Sequence, residues 1–436
     1  MKVAVDNYGC TRNKSDGELI KGQIESQEDF FETSIEDADV IILNTCGVKN
    51  KTQSKMMNRL KRYREKGKKV LVAGCLPKIN KELLEEQKAS MVSPDTIDKI
   101  PKALRKISDG KNPIYIDKEI NSDNKSKLEM KRKIEKGITG IVPISDGCLG
   151  NCSYCGVKNA RGNLKSYPEE KIINEVNKLI ENGKRQIYLT GQDTGCYGKD
   201  KRKTNFPQLI QKIIKLKGEF KIRIGMMNPE HLKDSEIREK LIQSLNNSKI
   251  YKFLHIPVQS GSNKVLEDMN RRYTVEEFKE IIEEFKREVK NLNLATDIIV
   301  GYPTEGEEEF QETIDMVKEV KPDVTNISRF YPRPNTEAEK LDSHTSQVLK
   351  KRSRKLSKVA EKISNEKNKS YLNQKMEIMI TRNTGKMMRG RTNNYKKTKL
   401  IKNNEEKGFK NLREGERIET RVTGYSSRGL TAKRIS

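Results

Sequence analysis

Cysteine and histidine are scarce in this chain, with seven cysteines and three histidines among 436 residues. No run of about 18 consecutive apolar residues occurs, so no membrane-spanning helix is expected. The opening MKVAVDNYGC has neither the apolar core nor the small-residue cleavage site of a secretion signal. A cytoplasmic, reducing setting is therefore expected, where closely spaced cysteines serve as ligands or catalysts rather than as disulfide partners. Apolar residues reach only 33% while charged residues make up 34%, a low but sufficient supply for packed cores in two or three domains. Acidic residues fall well short of basic ones, leaving a formal net charge of +26. Such a field attracts a polyanion, the alternative being a merely solubilising surface.

Against this scarcity, SDGCLGNCSYCGVKNARG at residues 145–162 places Cys148, Cys152 and Cys155 within eight positions. A structural zinc site needs four closed ligands, usually in Cys-x2-Cys or Cys/His pairs. No fourth ligand lies nearby: the next cysteine is Cys196, and the histidines are His231, His255 and His344. Three close thiolates instead suit three corners of a [4Fe–4S] cluster, with the fourth iron open to a small molecule.

The pattern along the chain is α/β. The apolar runs KVAV, DVIILNTC and KKVLVAGC, separated by helix-like stretches, predict a doubly wound parallel sheet over residues 1–116. Cys10, Cys46 and Cys75 each stand just past such a run, where sites gather in parallel sheets. The alternative for this trio is small hydrophobes packed at strand ends. A polar, lysine-rich stretch at 117–137 reads as a linker. Six further strand–helix units over 138–370 begin with ITGIVPIS and end with VTNISRFYP, and predict a partial (β/α)6 barrel with its chemistry at the strands' carboxyl ends. Residues 371–436 change to short β-like runs with Gly and Asn between them, which predicts a small antiparallel β-barrel. This tail carries 17 Lys and Arg against 6 Asp and Glu, a balance that suits RNA binding.

The Cys-x3-Cys-x2-Cys spacing, with Tyr154 before its last cysteine, resembles the radical S-adenosylmethionine (SAM) enzymes. YGCTRN (8–13), NTCGV (44–48) and AGCLP (73–77) are similar to the three cysteine motifs of the methylthiotransferase family within that superfamily. The resemblance spans the whole chain. It implies an N-terminal domain with an auxiliary [4Fe–4S] cluster on Cys10, Cys46 and Cys75, and a radical SAM domain with a second cluster on Cys148, Cys152 and Cys155. It also implies a C-terminal RNA-binding barrel of the type called TRAM. GCLGNCSYC, ARGNLKSYP, LTGQDTGCYGKD and RIGMMNPEHL resemble the archaeal and eukaryotic branch, which acts on N6-threonylcarbamoyladenosine at tRNA position 37. The implied reaction replaces the adenine C2–H with S–CH3, consumes two molecules of SAM and needs an external electron donor.

Smaller constellations follow. Gln192 and Asp193, at the end of the second barrel strand, are candidates to contact the cofactor, with an Asx-capped turn as the alternative. His255 is either a group facing the cofactor or substrate, or a structural histidine. Gly301 either admits backbone close to the adenine or serves a tight strand-to-helix turn. Arg333 either reaches a phosphate or caps the fold. Cys196 stands where the family pattern has another residue, and reads as a buried thiol or a redox-active neighbour of the site. In the tail, Arg389, Arg391, Tyr395, Lys396 and Lys397 interleave cations with an aromatic, as RNA contacts do. Competing functions are methylthio transfer to isopentenyladenosine in tRNA or to a ribosomal-protein aspartate and, from another class, a non-catalytic zinc- and RNA-binding protein.

Overall fold

Uninterrupted apolar runs bury on both faces when helices cover a parallel sheet from two sides. In the computed structural model, which describes residues 1–47, 50–117, 126–385, 387–401 and 412–435, each run read as a strand forms one. The N-terminal sheet comprises β1 (Lys2–Asn7), β2 (Phe31–Glu32), β3 (Val40–Thr45), β4 (Lys69–Gly74), β5 (Ser90–Val92) and β6 (Ile114–Tyr115), all parallel, in the order β2-β1-β3-β4-β5-β6. Its helices are α1 (Thr11–Glu25), α2 (Asn50–Glu65), α3 (Leu76–Ile79), α4 (Lys81–Glu86) and α5 (Ile100–Ser108). Leu19, Ile20 and Ile24 of α1 and Leu104 of α5 pack on one face of the sheet, and Met56 and Leu60 of α2 with Leu84 of α4 on the other. The strand order reverses direction beside β1, which opens a crevice between β1 and β3 at their carboxyl ends. Cys10 follows β1 and Cys46 follows β3, so they flank that crevice, while Cys75 follows β4 next door.

The stretch expected as a linker is only partly so. Residues 118–125 lie outside the described residues, but 126–137 form a strap across α1. Lys133 N donates to Glu18 O at 2.9 Å, and Arg132 pairs with Glu18 and, at 2.8 Å, with Glu175 of the next unit. A Cβ on Gly22 would stand 2.1 Å from the Lys131 carbonyl, so only glycine admits the strap this close.

The central unit begins with β7 (Thr139–Pro143) and a two-stranded ribbon, β8 (Ser145–Asp146) with β9 (Lys165–Ser166), which brackets the cysteine loop and α6 (Gly156–Arg161). Then follow β10 (Gln186–Thr190), β11 (Lys221–Arg223), β12 (Phe253–His255), β13 (Asn293–Val300) and β14 (Val324–Arg329). Two parallel three-stranded sheets, β11-β10-β7 and β12-β13-β14, meet through the bridges Ile222–Ile250 and Met226–His255, giving a six-strand partial barrel. Alternation puts Ile187, Leu189, Ile222, Leu254 and Ile298 in the helix-facing core, and leaves Tyr188, Arg223, Phe253, His255 and Asp297 on the other, lumen side.

A long helix, Ser346–Lys369, leads to a closed five-stranded barrel: β15 (Lys375–Asn383), β16 (Met388–Thr392), β17 (Lys397–Leu400), β18 (Arg417–Ser426) and β19 (Gly429–Arg434). The β16–β17 turn plugs the base of the partial barrel, at the amino ends of its strands. Tyr395, in the left-handed region at φ 66°, sends its hydroxyl to 2.6 Å from that of Tyr188 and sets its ring 4.9 Å from those of Tyr251 and Phe253. Lys396 is buried and donates at 2.8 Å to both Asp323 and Asn368. The expectation that Tyr395 and Lys396 face RNA is corrected accordingly: both are spent on docking one barrel against the other. Arg391 lies 4.1 Å over the Tyr395 ring, and only Arg389 and Lys397 of that group are fully exposed.

Candidate active site

All the cysteines sit at carboxyl ends of parallel strands, which is why residues far apart in sequence meet. In the central unit the loop after β7 wraps Gly150. A Cβ there would lie 3.4 Å from Cys148 Sγ and 3.7 Å from Cys152 Sγ, filling the space those two thiols enclose. Gly150 N–H donates to Cys148 Sγ at 3.2 Å, and Arg271 Nη1 donates to Cys152 Sγ at 3.3 Å. Burial pushes the Cys155 thiol up to about 11, reinforced by Cys152 beside it. Cys148 instead comes down to about 7, chiefly through a hydrogen bond with Cys196. Tyr154 packs against a small cluster with Val265, Met269, Tyr302 and Phe330.

Cys196 is thus a close neighbour of the triad, brought there because β10 pairs with β7. It is fully buried and its thiol donates to Asp193 O at 3.1 Å. Cys148 Sγ, Cys196 Sγ and an Asp193 carboxylate oxygen lie within 4.8 Å of one another. A single metal on that trio would leave Cys152 and Cys155 without a role, whereas three thiols on one loop, two of them enclosing Gly150, match a cluster with one open iron. Asp193 Oδ1 is satisfied, whereas its Oδ2 is buried beside His231 without a hydrogen bond. Its carboxylate accepts from Gly195 N at 2.9 Å and Asn228 N at 3.2 Å, and meets His231 Nε2 at 3.2 Å. Burial pushes its pKa up, but His231 and these amides more than offset that, and the carboxyl is held below its usual range. Gln192 likewise has a buried Oε1 without a hydrogen-bond partner, an acceptor that a bound molecule would satisfy.

In the N-terminal unit, Cys46 and Cys75 are buried and Cys10 is exposed. A hydrogen bond with Cys46 lowers Cys10 to about 6, and the Asn13 and Arg12 amides at the start of α1 add to it. Cys75 caps α3, where it packs against Ile79 and against Ala160 of α6. The N-terminal trio therefore faces the helix that begins at Cys155.

The two units are locked by a buried ionic network. Arg12, the second residue of α1, reaches Asp16 at 2.7 Å and Asp146 at 2.5 Å. Arg161 pairs with Asp16 and lies 3.5 Å from Asp146, which also forms an ion pair with Lys127 at 2.9 Å and accepts a hydrogen bond from Tyr167 at 2.6 Å. None of these residues was singled out from sequence, although Asp146 and Arg161 lie inside the cysteine segment. Within the lumen His255 Nε2 is 2.9 Å from Asp297, which also accepts from Asn326 at 2.7 Å. Gly301 has φ 71° and its Cβ would meet Leu349 at 2.0 Å, so backbone shape and packing account for it. Arg333 is buried and donates to Gln53 of α2 at 3.0 Å, a contact between units.

A second unforeseen feature is the loop after β10. Lys201, Arg202 and Lys203 are exposed, and Arg202 and Lys203, with Lys199, Thr204 and Asn205, border an open cleft of about 460 Å³. This basic rim starts three residues after Cys196.

The model of the radical SAM superfamily matches residues 142–317, and that of an uncharacterized protein family, UPF0004, matches residues 2–93. Among curated proteins, the probable threonylcarbamoyladenosine tRNA methylthiotransferase of Pyrococcus horikoshii is 41% identical over 380 residues, covering 87% of this chain and 88% of that protein. That of Methanocaldococcus jannaschii is 38% identical over 410 residues, covering 92% and 91%. The human threonylcarbamoyladenosine tRNA methylthiotransferase is 34% identical over 384 residues, covering 87% of this chain and 66% of that protein. A radical SAM methyltransferase of Kitasatospora setae, solved with cobalamin and a [4Fe–4S] cluster, shares the fold at TM-score 0.56 and 12% identity, covering 77% of this chain and 76% of that one. With two cysteine triads at adjoining strand ends and relatives this similar over nearly full length, the chain belongs to the threonylcarbamoyladenosine tRNA methylthiotransferase family of radical SAM enzymes, which work with [4Fe–4S] clusters and S-adenosylmethionine.

Proposed function

We propose that this protein replaces the C2–H of N6-threonylcarbamoyladenosine at tRNA position 37 with a methylthio group. The observation that carries the reading is the packing of α3, which follows Cys75, against α6, which follows Cys155, so that the two cysteine-bearing units adjoin at their triads' ends. In this reading Cys148, Cys152 and Cys155 hold the cluster that binds SAM, and Cys10, Cys46 and Cys75 hold the auxiliary one. When bound, these groups supply a carbon radical able to take hydrogen from an unactivated carbon, and the sulfur that replaces it. The chain's own side chains bind and orient. Gln192 Oε1 offers an acceptor to the cofactor, while Tyr154 and Asp193 keep the two loops around it in shape. His255, Asp297 and Asn326 present a connected polar set to the lumen where a base would enter.

Residues 1–116 form the auxiliary domain, 138–370 the radical SAM domain and 371–436 a TRAM-type RNA-binding domain. Exposed Arg389 and Lys397 there, with Lys201, Arg202 and Lys203 in the loop that follows Cys196, are suited to phosphates of the anticodon arm. The enzyme works in the cytoplasm with an external one-electron donor.

The test supplies anaerobically reconstituted protein, SAM and reductant with two tRNAs, one bearing threonylcarbamoyladenosine and one bearing isopentenyladenosine at position 37. Methylthiolation of the first alone is expected. Modification of the second alone moves the substrate assignment to the isopentenyl branch. A colourless, zinc-loaded protein that makes neither product nor 5′-deoxyadenosine refutes the enzyme reading.

A further inference from the structure

The auxiliary cysteines do not face only their own domain. Helix α6 starts at Cys155 and ends at Arg161, a residue only 5% exposed that pairs with Asp16 and whose charge favours the Cys75 thiolate against the opposing effect of burial. Ala160 beside it packs on Cys75 and Ile79. The fit is tight along the whole helix: a Cβ on Gly156 would come 3.3 Å from Arg333 Cβ and 3.4 Å from Ile79 Cγ2. Arg333 is 6% exposed, and Cys46 is the cysteine whose charge it feels. The auxiliary cysteines thus lie in the field of buried cations supplied by the radical SAM domain.

We infer that Arg161, assisted by Arg333, is a positioning residue that holds the negative charge of the auxiliary cluster from across the domain boundary and raises its reduction potential. The inference rests on the reading that Cys10, Cys46 and Cys75 hold that cluster. A cluster on three thiolates is anionic and becomes more so on reduction. A cation and N–H···S hydrogen bonds in a buried, low-dielectric contact therefore favour the reduced state. Asp16 and Asp146 orient Arg161 without cancelling it. Among the described residues, Arg12, Arg161 and Lys127 share those two carboxylates as their ion-pair partners, so one positive charge of the network is left to the cysteines. Docking of the two domains and the potential of the auxiliary cluster are then one property.

The test is a potentiometric titration of the reconstituted full-length protein followed by electron paramagnetic resonance. Adding SAM perturbs the signal of the cluster that binds it, which identifies the other. Arg161→Gln is expected to move the auxiliary midpoint to lower potential and leave the SAM-sensitive midpoint in place. Arg161→Lys, which keeps the charge, should recover most of the shift, and Arg333→Gln should give a smaller one in the same direction. A purely structural arginine would leave both midpoints unmoved. An Arg161→Gln protein with full iron and an unchanged auxiliary midpoint overturns the inference. If that variant cannot retain iron, Arg333→Gln carries the test, and an unchanged auxiliary midpoint in that variant overturns the inference. A wild-type protein with iron and sulfide for one cluster only overturns the two-cluster reading as well, a distinguishable result.

Discussion

Asp146→Asn is the sharpest probe of how the two cysteine-bearing domains are held together. Asp146 stands two residues before Cys148 and is met by Arg12, Lys127, Tyr167 and, more distantly, Arg161. The amide keeps the shape but removes one of two carboxylates opposing three cations, and leaves Arg12 without its bond across the boundary. Removing one partner of a buried pair costs about 3–5 kcal/mol, because the remaining charge is uncompensated. In an opening equilibrium that is roughly a 150- to 5000-fold increase, read by urea-dependent hydrogen exchange of peptides from α1 and α6. Arg12→Met in the Asp146→Asn background should recover much of the loss, since the stranded charge goes too. The pH dependence has a defined sign. Burial pushes Asp146 up, but Arg12, Lys127 and Arg161 more than offset it, so its pKa lies well below the ordinary value, and that of Asp16 is lowered likewise. Their contribution is therefore fully present above the ordinary carboxylate value of about 3.9 and is lost as pH falls below it. The acid limb should be shallower in Asp146→Asn. A loss under about 1 kcal/mol, the size of an ordinary surface substitution, refutes the reasoning.

Other consequences are as direct. Cys196→Ser should keep the iron content and SAM cleavage, because Cys196 neighbours the triad rather than completing it; loss of iron in chemical analysis would make it a ligand. Reversing Lys201, Arg202 and Lys203 to Glu should weaken tRNA binding and make the salt slope shallower by roughly 2–3, one unit or slightly less for each phosphate no longer neutralised. An unchanged slope in filter binding would put the RNA elsewhere. Gly301→Ala should destabilise the central domain by about 1–3 kcal/mol through its positive φ and the clash with Leu349, as measured by chemical denaturation.

The architecture was legible because apolar runs such as Val40–Thr45 and Lys69–Gly74 end abruptly at cysteines, and parallel sheets put such ends together. The spacing of Cys148, Cys152 and Cys155 carried the chemistry for the same reason: the ligands are local. What stayed hidden depends on which domain lies against which. Arg12, Asp146 and Arg161 look like ordinary surface charges until α1 and α6 are brought together. Tyr395 and Lys396 sit in a basic, aromatic stretch like an RNA-binding surface, and charge along a strand does not say that its turn enters a neighbouring barrel. Cys196 reads as incidental until the pairing of β10 with β7 brings it beside Cys148. The polar segment 126–137 had the composition of a linker, yet Arg132 finds carboxylates on both sides and fastens it.

The central claim is that the two triads do different work in one reaction. It is tested most directly by comparing wild type with Cys75→Ala, both reconstituted anaerobically, for 5′-deoxyadenosine and for the methylthiolated nucleoside by mass spectrometry of the same reaction. The account predicts that Cys75→Ala still cleaves SAM to 5′-deoxyadenosine while forming no methylthio product. Formation of that product at wild-type yield by Cys75→Ala would contradict it.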